Sequence, residues 1–300
     1  MNILEKEEIL VFAYFKGHGD GLHLACSEDG YQWSALNDDR VILRPAVGME
    51  CIIRDPCIFP GRDGLFHFVW TLGWREKGIG YCSSRDLIDW SAQQYLPVME
   101  HEEKARNCWA PEILFYAPAN EYLVYWSTTI EGKFPETQFY GDDGYNHRIY
   151  YVTTKDFKSF SATKLLYDGG FNVIDANIVP DGPRYLLFMK NETLIPPEKN
   201  IRLAVGNTPF EFGAAGAALT PNHYWAEGPT AIKIGEEWIV YFDRYKINQI
   251  GAIRSKDLVE WEEVSHMVRF PDGAQHGYAF KAPAKIVDRL RHMKQTAVAR

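Results

Sequence analysis

Most signatures that would assign this 300-residue chain quickly are missing from it. It has five cysteines, an odd number with no Cys-x-x-Cys pair, so neither a disulfide framework nor a zinc site is expected. Cys26 and Cys82 fall in strand-like runs, where a free thiol behaves as a small buried hydrophobe. No apolar run is long enough for a transmembrane helix. The opening segment, MNILEKEEILVFAYFK, carries acids where a secretory leader needs a basic stretch, so a cytoplasmic protein is expected. Helical periodicity is scarce, and only Ala284 to Met293 reads as a helix. The phosphate-binding Gly-rich loop, the dinucleotide fingerprint, HExxH and GxSxG are all absent, which removes the commonest nucleotide, zinc-peptidase and serine-hydrolase chemistries. The formal charge is −8, which argues against nucleic acid or an anionic membrane as partner.

What the chain does have is aromatic residues, at 14%, and a repeat. Aromatics favour strands and fill β cores, and the remainder can serve as stacking platforms for a ligand. Four segments read apolar run, Ser or Thr, charged residue, Asp, then an aromatic four residues on: CSEDGYQW ending at Trp33, SSRDLIDW at Trp90, TTKDFKSF at Phe160 and RSKDLVEW at Trp261. A weaker copy, GNTPFEF, ends at Phe212. The intervals are about 50 to 70 residues, in the range of propellers, arrays and solenoids.

Each repeat carries strand-like runs before its turn. One set is Leu22 to Cys26, Ile79 to Ser83, Ile149 to Thr153, Ile201 to Val205 and Ile250 to Arg254. An earlier set is Leu10 to Phe15, Leu65 to Thr71, Tyr122 to Ser127, Tyr185 to Lys190 and Trp238 to Phe242. A weaker fourth strand is expected after each turn, as at Val41 to Leu43 and Lys164 to Tyr167. Four short antiparallel strands per unit make a propeller blade. The N-terminus supplies a second, third and fourth strand, and the C-terminus a first strand near Tyr278 to Lys281. Joining them completes a fifth blade and removes an open sheet edge. The expectation is an all-β, five-bladed β-propeller spanning residues 1–300 as one domain, with a β-sandwich as the structural alternative. The Ser-x-Asp turns then lie on one face, their Ser and Asp bonding local backbone. The starts of the first strands and the connections between second and third strands share the other face.

Five first strands open on a polar residue: Asp55 in RDPCIF, Glu112 in APEILF, Asp175 in DANIV, Glu227 in EGPTAI and His276 in HGYAF. Around an axis these converge. Convergent carboxylates suit glycosidic-bond cleavage, which needs a protonated acid at the leaving oxygen and a carboxylate on the far side of the sugar. Individually the motifs have bland readings, since Asp-Pro and Glu-Gly-Pro are also turn signals.

The segments RDPCIF, WAPEI, IDANIV, EGPTAI and QHGYAF, in this order on matching strands, resemble glycoside hydrolase family 43. That resemblance implies a five-bladed inverting glycosidase acting on α-L-arabinofuranosides or β-D-xylosides. It implies Asp55 as general base, Glu227 as general acid and Asp175 as the third carboxylate that holds the acid and raises its pKa. Two departures bear on the substrate: Glu112 stands where the family has Asp, and Ala176 follows Asp175 where Pro is usual. By the same resemblance His276 approaches the channel axis, where it could hold a water or an ion. No cofactor and no dedicated metal site are expected, because His276 lacks a surrounding cluster of ligands.

Sugar rings present apolar C–H faces, so Trp74, Trp109 and Trp225 are candidate platforms, and Arg54 a candidate hydroxyl ligand. The connection from Thr128 to His147 is long enough to wall the pocket and favour exo action on an oligosaccharide. The competing readings are a β-fructosidase-like or phosphorylase-like propeller, and a non-catalytic carbohydrate-binding propeller. The first would carry an early Asn-Asp-Pro, which is missing, and a phosphorylase would show clustered cations on the functional face.

Overall fold

The computed structural model describes residues 7–293. Residues 1–6, on which part of the leader argument rests, lie outside the described residues. Five antiparallel sheets follow one another along the chain. Blade 1 contains Arg54–Pro60, Phe66–Thr71, Ile79–Ser84 and Gln94–Leu96. Blade 2 contains Trp109–Tyr116, Glu121–Thr129, His147–Thr154 and Lys164–Tyr167. Blade 3 contains Val173–Asp181, Arg184–Asn191 and Asn200–Gly206. Blade 4 contains Ala226–Ile234, Glu237–Arg244, Gln249–Ser255 and Glu262–Glu263. Blade 5 starts with the C-terminal strand Gln275–Pro283, which pairs antiparallel with Glu8–Phe15, followed by His23–Ser27 and Ser34–Ala35. The first strand of each blade packs on that of the next, and the ring closes from blade 5 back to blade 1. The protein is an all-β five-bladed propeller.

Blade-to-blade packing is aromatic. Phe157 of blade 2 stacks on His67 and Tyr81 of blade 1, with centroids 4.1 and 4.7 Å apart. Trp33 of blade 5 meets Tyr241 of blade 4 edge-on at 5.6 Å, and Trp261 of blade 4 meets Phe188 of blade 3 at 5.9 Å. Each fully buried ring of this kind contributes about 2–3 kcal/mol through area removed from water. The repeated turns are closed locally. The Ser27, Ser84, Thr154 and Ser255 hydroxyls accept backbone N–H bonds from Gly30, Leu87, Phe157 and Leu258. Asp29, Asp86, Asp156 and Asp257 accept two more each.

Two expected outer strands differ. Val41 to Leu43 is not a strand. Ser34–Ala35 takes the fourth position, and a turn with left-handed backbone at Asn37, Asp38 and Asp39 consumes the chain before Leu43 makes a single bridge to Leu22. Blade 3 has no fourth strand among the described residues. The segment after Phe212 is rich in Gly and Ala, poor strand formers. It covers the edge irregularly, with Gly213, Gly216 and Leu219 donating N–H bonds to Val205, Leu203 and Ile201. The C-terminal helix spans Ala284–Arg291 and buries Ile286, Val287 and Leu290.

Candidate active site

The same irregularity opens the first strand of every blade. Pairing skips between Arg54 and Cys57, Trp109 and Glu112, Ile174 and Asn177, and Glu227 and Thr230. Each skip is a β-bulge, which bends the strand and re-aims its side chains at the channel mouth. The first bulge residue has left-handed backbone in four blades: Asp55 (φ 49), Ala110 (φ 47), Asp175 (φ 54) and Gly228 (φ 56). Such φ values strain non-glycine residues and persist only where surrounding structure enforces them. Gly228 has a second constraint, because a Cβ there would lie 2.3 Å from the His276 ring.

The bulges correct the sequence phase. Asp55, Asp175 and His276 are equivalent positions, and Glu227 precedes its bulge residue by one. Glu112 falls two residues beyond its own, so it lies deeper in the channel wall and away from the cavity lining. There it accepts hydrogen bonds from the Tyr125 hydroxyl at 2.8 Å and Asn177 Nδ2 at 2.9 Å. Burial pushes its carboxyl up to about 8, and those two hydrogen bonds offset only part of the rise. Glu112 is therefore a channel-wall residue off the cavity lining.

A cavity of about 1090 Å3 opens at the mouth. Asp55, Asp175, Glu227 and His276 line it, as do Arg54, Trp74 and Trp109. Trp225 does not. Its left-handed backbone (φ 50) turns it behind Tyr245, with ring centroids 5.8 Å apart and the Lys246 ammonium 4.3 Å from its face. Tyr245 is the aromatic that blade 4 shows to the cavity instead. The long connection supplies Asp142, Asp143 and Tyr145 to the wall.

The environments of the three carboxylates diverge. Asp55 faces the His276 Nδ1 at 3.1 Å and accepts from the Thr71 hydroxyl at 2.7 Å. That hydroxyl in turn accepts the Ala110 N–H of the next blade. Burial alone would raise Asp55, but His276, Arg54 and Thr71 outweigh it and hold the carboxyl down at about 2. Burial would likewise lower His276, yet Asp55, Asp175 and Glu227 push it up to about 10, which favours the imidazolium. Among the described residues no three His, Cys, Asp or Glu side chains form a metal-ligand group. Asp175 is reached through backbone, its N–H donating to the Ser127 hydroxyl and its Oδ2 accepting from Gly228 N at 3.0 Å. Burial pushes Asp175 up to about 6, with Glu227 and Asp55 adding to the rise against His276 and Lys190.

Sequence reasoning missed two neighbours of Glu227. Lys190, fully buried, donates to Glu227 Oε2 at 2.9 Å and also contacts Glu192. Burial works against its charge, but those two carboxylates hold it well above the lysine range. Asp243 pairs across the sheet with Glu227 and accepts from the His276 N–H at 3.2 Å. Burial, then Glu227, raises it to about 7. Both end a second strand, where the sequence reads as a fading apolar run. Only the bulge register shows that they flank the carboxylate.

A closed propeller whose single-face mouth gathers carboxylates, an imidazolium and indoles is a sugar-bond hydrolase in class. The chain belongs to the glycoside hydrolase family 43 group: the family-43-related model described as "Probable glycosyl hydrolase domain" matches residues 7–285. No curated protein matches the sequence significantly. Among solved structures it is similar to a thermostable family-43 glycoside hydrolase at 19% identity and TM-score 0.55, covering 71% of this chain and 72% of that one. It is similar to an α-L-arabinofuranosidase from Lactobacillus brevis at 15% identity and TM-score 0.54, covering 71% and 72%. It is also similar to an exo-β-1,3-galactanase from Clostridium thermocellum at 13% identity and TM-score 0.55, covering 74% of this chain and 50% of that one. At these identities the likenesses concern the fold.

Proposed function

We propose that the protein is an inverting exo-glycosidase releasing an α-L-arabinofuranosyl or β-D-xylosyl unit from an oligosaccharide, with Asp55 as general base and Glu227 as general acid. The observation that carries this reading is the contrast between two carboxylates on non-adjacent blades of one cavity. Asp55 is held ionised by His276, which suits a base that takes a proton from water. Glu227 sits among Asp175 and Asp243, whose shared negative charge favours a proton in that cluster. Blades 1 and 4 are separated by the closing blade, and that favours the wider carboxylate spacing of about 6.5–9.5 Å that leaves room for a water and gives inversion.

Lys190 bears on the acid. Its ammonium contacts the Glu227 carboxyl at 2.9 Å. Glu192 is a second anchor, so Glu227 can take a proton without leaving a buried ammonium unpaired. Asp175 orients the acid through the Gly228 N–H, while Trp74 and Trp109 offer faces to the sugar and Tyr145 closes one side, which supports exo action. The arabinofuranosidase among the structural neighbours is consistent with the pentosyl reading, and the exo-β-1,3-galactanase supports a galactosyl alternative. We place the protein in the cytoplasm, working without a cofactor.

A panel of aryl glycosides carrying arabinofuranosyl, xylosyl, galactosyl and fructosyl groups tests this. Turnover of a pentosyl member supports the reading. Turnover of the galactosyl member alone replaces the sugar, and inertness toward all four favours a binding propeller.

A further inference from the structure

The rim formed by blades 1 and 2 carries charge that bond cleavage does not use. Arg54, Arg75 and Arg106 all line the cavity, yet none makes an ion pair among the described residues. Arg148, Arg184 and Arg202 each sit within 2.9 Å of a carboxylate, whereas Arg44, Arg62, Arg85, Arg244 and Arg269, like the rim arginines, have no ion pair among the described residues. What sets Arg54, Arg75 and Arg106 apart is that all three line one cavity, in a chain of net charge −8.

Aromatic rings hold two of them in place. The Arg54 guanidinium lies 4.4 Å from the Phe15 ring and 4.8 Å from Trp74. Arg106 lies 4.1 Å over Tyr145, with its Nη1 donating to the Gly144 carbonyl at 2.9 Å. Rings fix the guanidinium planes without consuming their N–H donors, so the forks stay available to a planar anion. Two of the local acids have partners of their own: Glu50 accepts the Trp74 N–H at 2.7 Å, and Asp142 faces Lys199 at 3.2 Å. Between the arginines lie the sugar-sized surfaces of Trp74 and Trp109, edge-on at 5.5 Å. His147, 1% exposed and stacked on Tyr145 at 5.2 Å, turns Nδ1 to the Asn172 side-chain oxygen Oδ1 at 3.2 Å. With the proton assigned to Nδ1 by that contact, the buried and unpartnered Nε2 presents a lone pair suited to a hydroxyl.

We propose that this rim is a subsite for a carboxylate-bearing sugar, a uronosyl unit adjoining the one that is cleaved. The inference rests on the glycosidase reading and narrows its substrate to an acidic oligosaccharide. A carboxylate is favoured over a phosphate because its single charge meets less repulsion from Glu50, Asp142 and Asp143, and over a sulfate ester because it is planar like the guanidinium forks.

The test is binding, read by calorimetry on the full chain with unreactive monosaccharides, so it does not depend on turnover. D-galacturonate and D-glucuronate are compared with D-galactose, D-glucose and galactose 6-sulfate. The uronates are expected to bind about tenfold tighter than the neutral sugars, equivalent to about 1.4 kcal/mol. That advantage should shrink as salt rises from about 0.05 to about 0.5 M, and again in Arg75→Gln and in Arg106→Gln. Arg75 is exposed, so its variant keeps the test valid if Arg106→Gln fails to fold. Equal affinity for acidic and neutral sugars, no binding of any sugar, or an advantage surviving both substitutions overturns the subsite. Tighter binding of the sulfated sugar overturns the carboxylate assignment. Uronate preference together with inertness toward every aryl glycoside would sink the hydrolase reading and leave the subsite standing.

Discussion

The two faces of the propeller use the same repeat in opposite ways. On the face of the Ser-x-Asp turns, each polar side chain is satisfied by backbone a few residues away, as with Ser84 and Asp86. At the channel mouth, polar side chains sit on strained bulges, reach across blades, and retain unpartnered atoms such as Asp243 Oδ1 and His147 Nε2. A repeated polar residue with a complete local set of partners holds the fold. One with capacity left over, held in place by a neighbouring blade, is available to a substrate.

That contrast predicts which substitutions separate activity from stability. The largest effects belong to the mouth. Asp55→Asn and Glu227→Gln are each expected to lower kcat by about 10^2–10^4-fold, the contribution of a positioned base or acid. They differ by leaving group. An acidic nitrophenol needs little protonation, so the Glu227→Gln deficit should shrink with it, while the Asp55→Asn deficit should not. Equal deficits for both leaving groups would refute the division of roles.

Lys190→Met acts next. Lys190 lowers the proton affinity of Asp175, which orients the acid, so its removal should move the alkaline limb of the kcat/KM profile to higher pH. An unmoved limb would mean that the ion pair is purely structural.

Glu112 tests the channel wall through stability. The folded chain keeps its proton up to about 8, whereas the ordinary value is 4.5. Between those values the folded state binds more protons than the unfolded one, so stability falls as pH rises through the window. Glu112→Gln should raise the melting temperature at the top of that window and change it little at the bottom. A loss at the top would show that Glu112 is ionised in the fold.

The smallest effect is expected on the opposite face. Ser84→Ala leaves two turn N–H groups without their acceptor and should cost about 1 kcal/mol of stability by denaturant titration. Turnover below the melting range should be unchanged. A large fall in turnover there would erase the distinction between the faces.

The architecture was legible because its signals are local and repeated: the turn motif, the strand runs and the missing first strand at the N-terminus. Asp55, Asp175 and Glu227 were legible because each sits beside its bulge. In blade 2 the carboxylate is out of phase with the bulge, unlike Asp55 and Asp175 in their blades. Aligning the blades by the bulge prolines Pro56, Pro111 and Pro229 would have set Ala110, not Glu112, against Asp55. Trp225 misled because sequence adjacency to Glu227 says nothing about a left-handed backbone. Lys190, Asp243, Arg75 and Arg106 come from second strands and connections, whose approach to the carboxylates is a consequence of ring closure.

The central claim is that Asp55 delivers water from one side of the sugar while Glu227 protonates the leaving oxygen on the other. Proton NMR of a hydrolysis in progress, on whichever glycoside of the panel is cleaved, reads this directly. The account predicts that the first sugar released has the anomeric configuration opposite to the substrate, with the other anomer growing in only by mutarotation. Release of the same configuration as the substrate would contradict it.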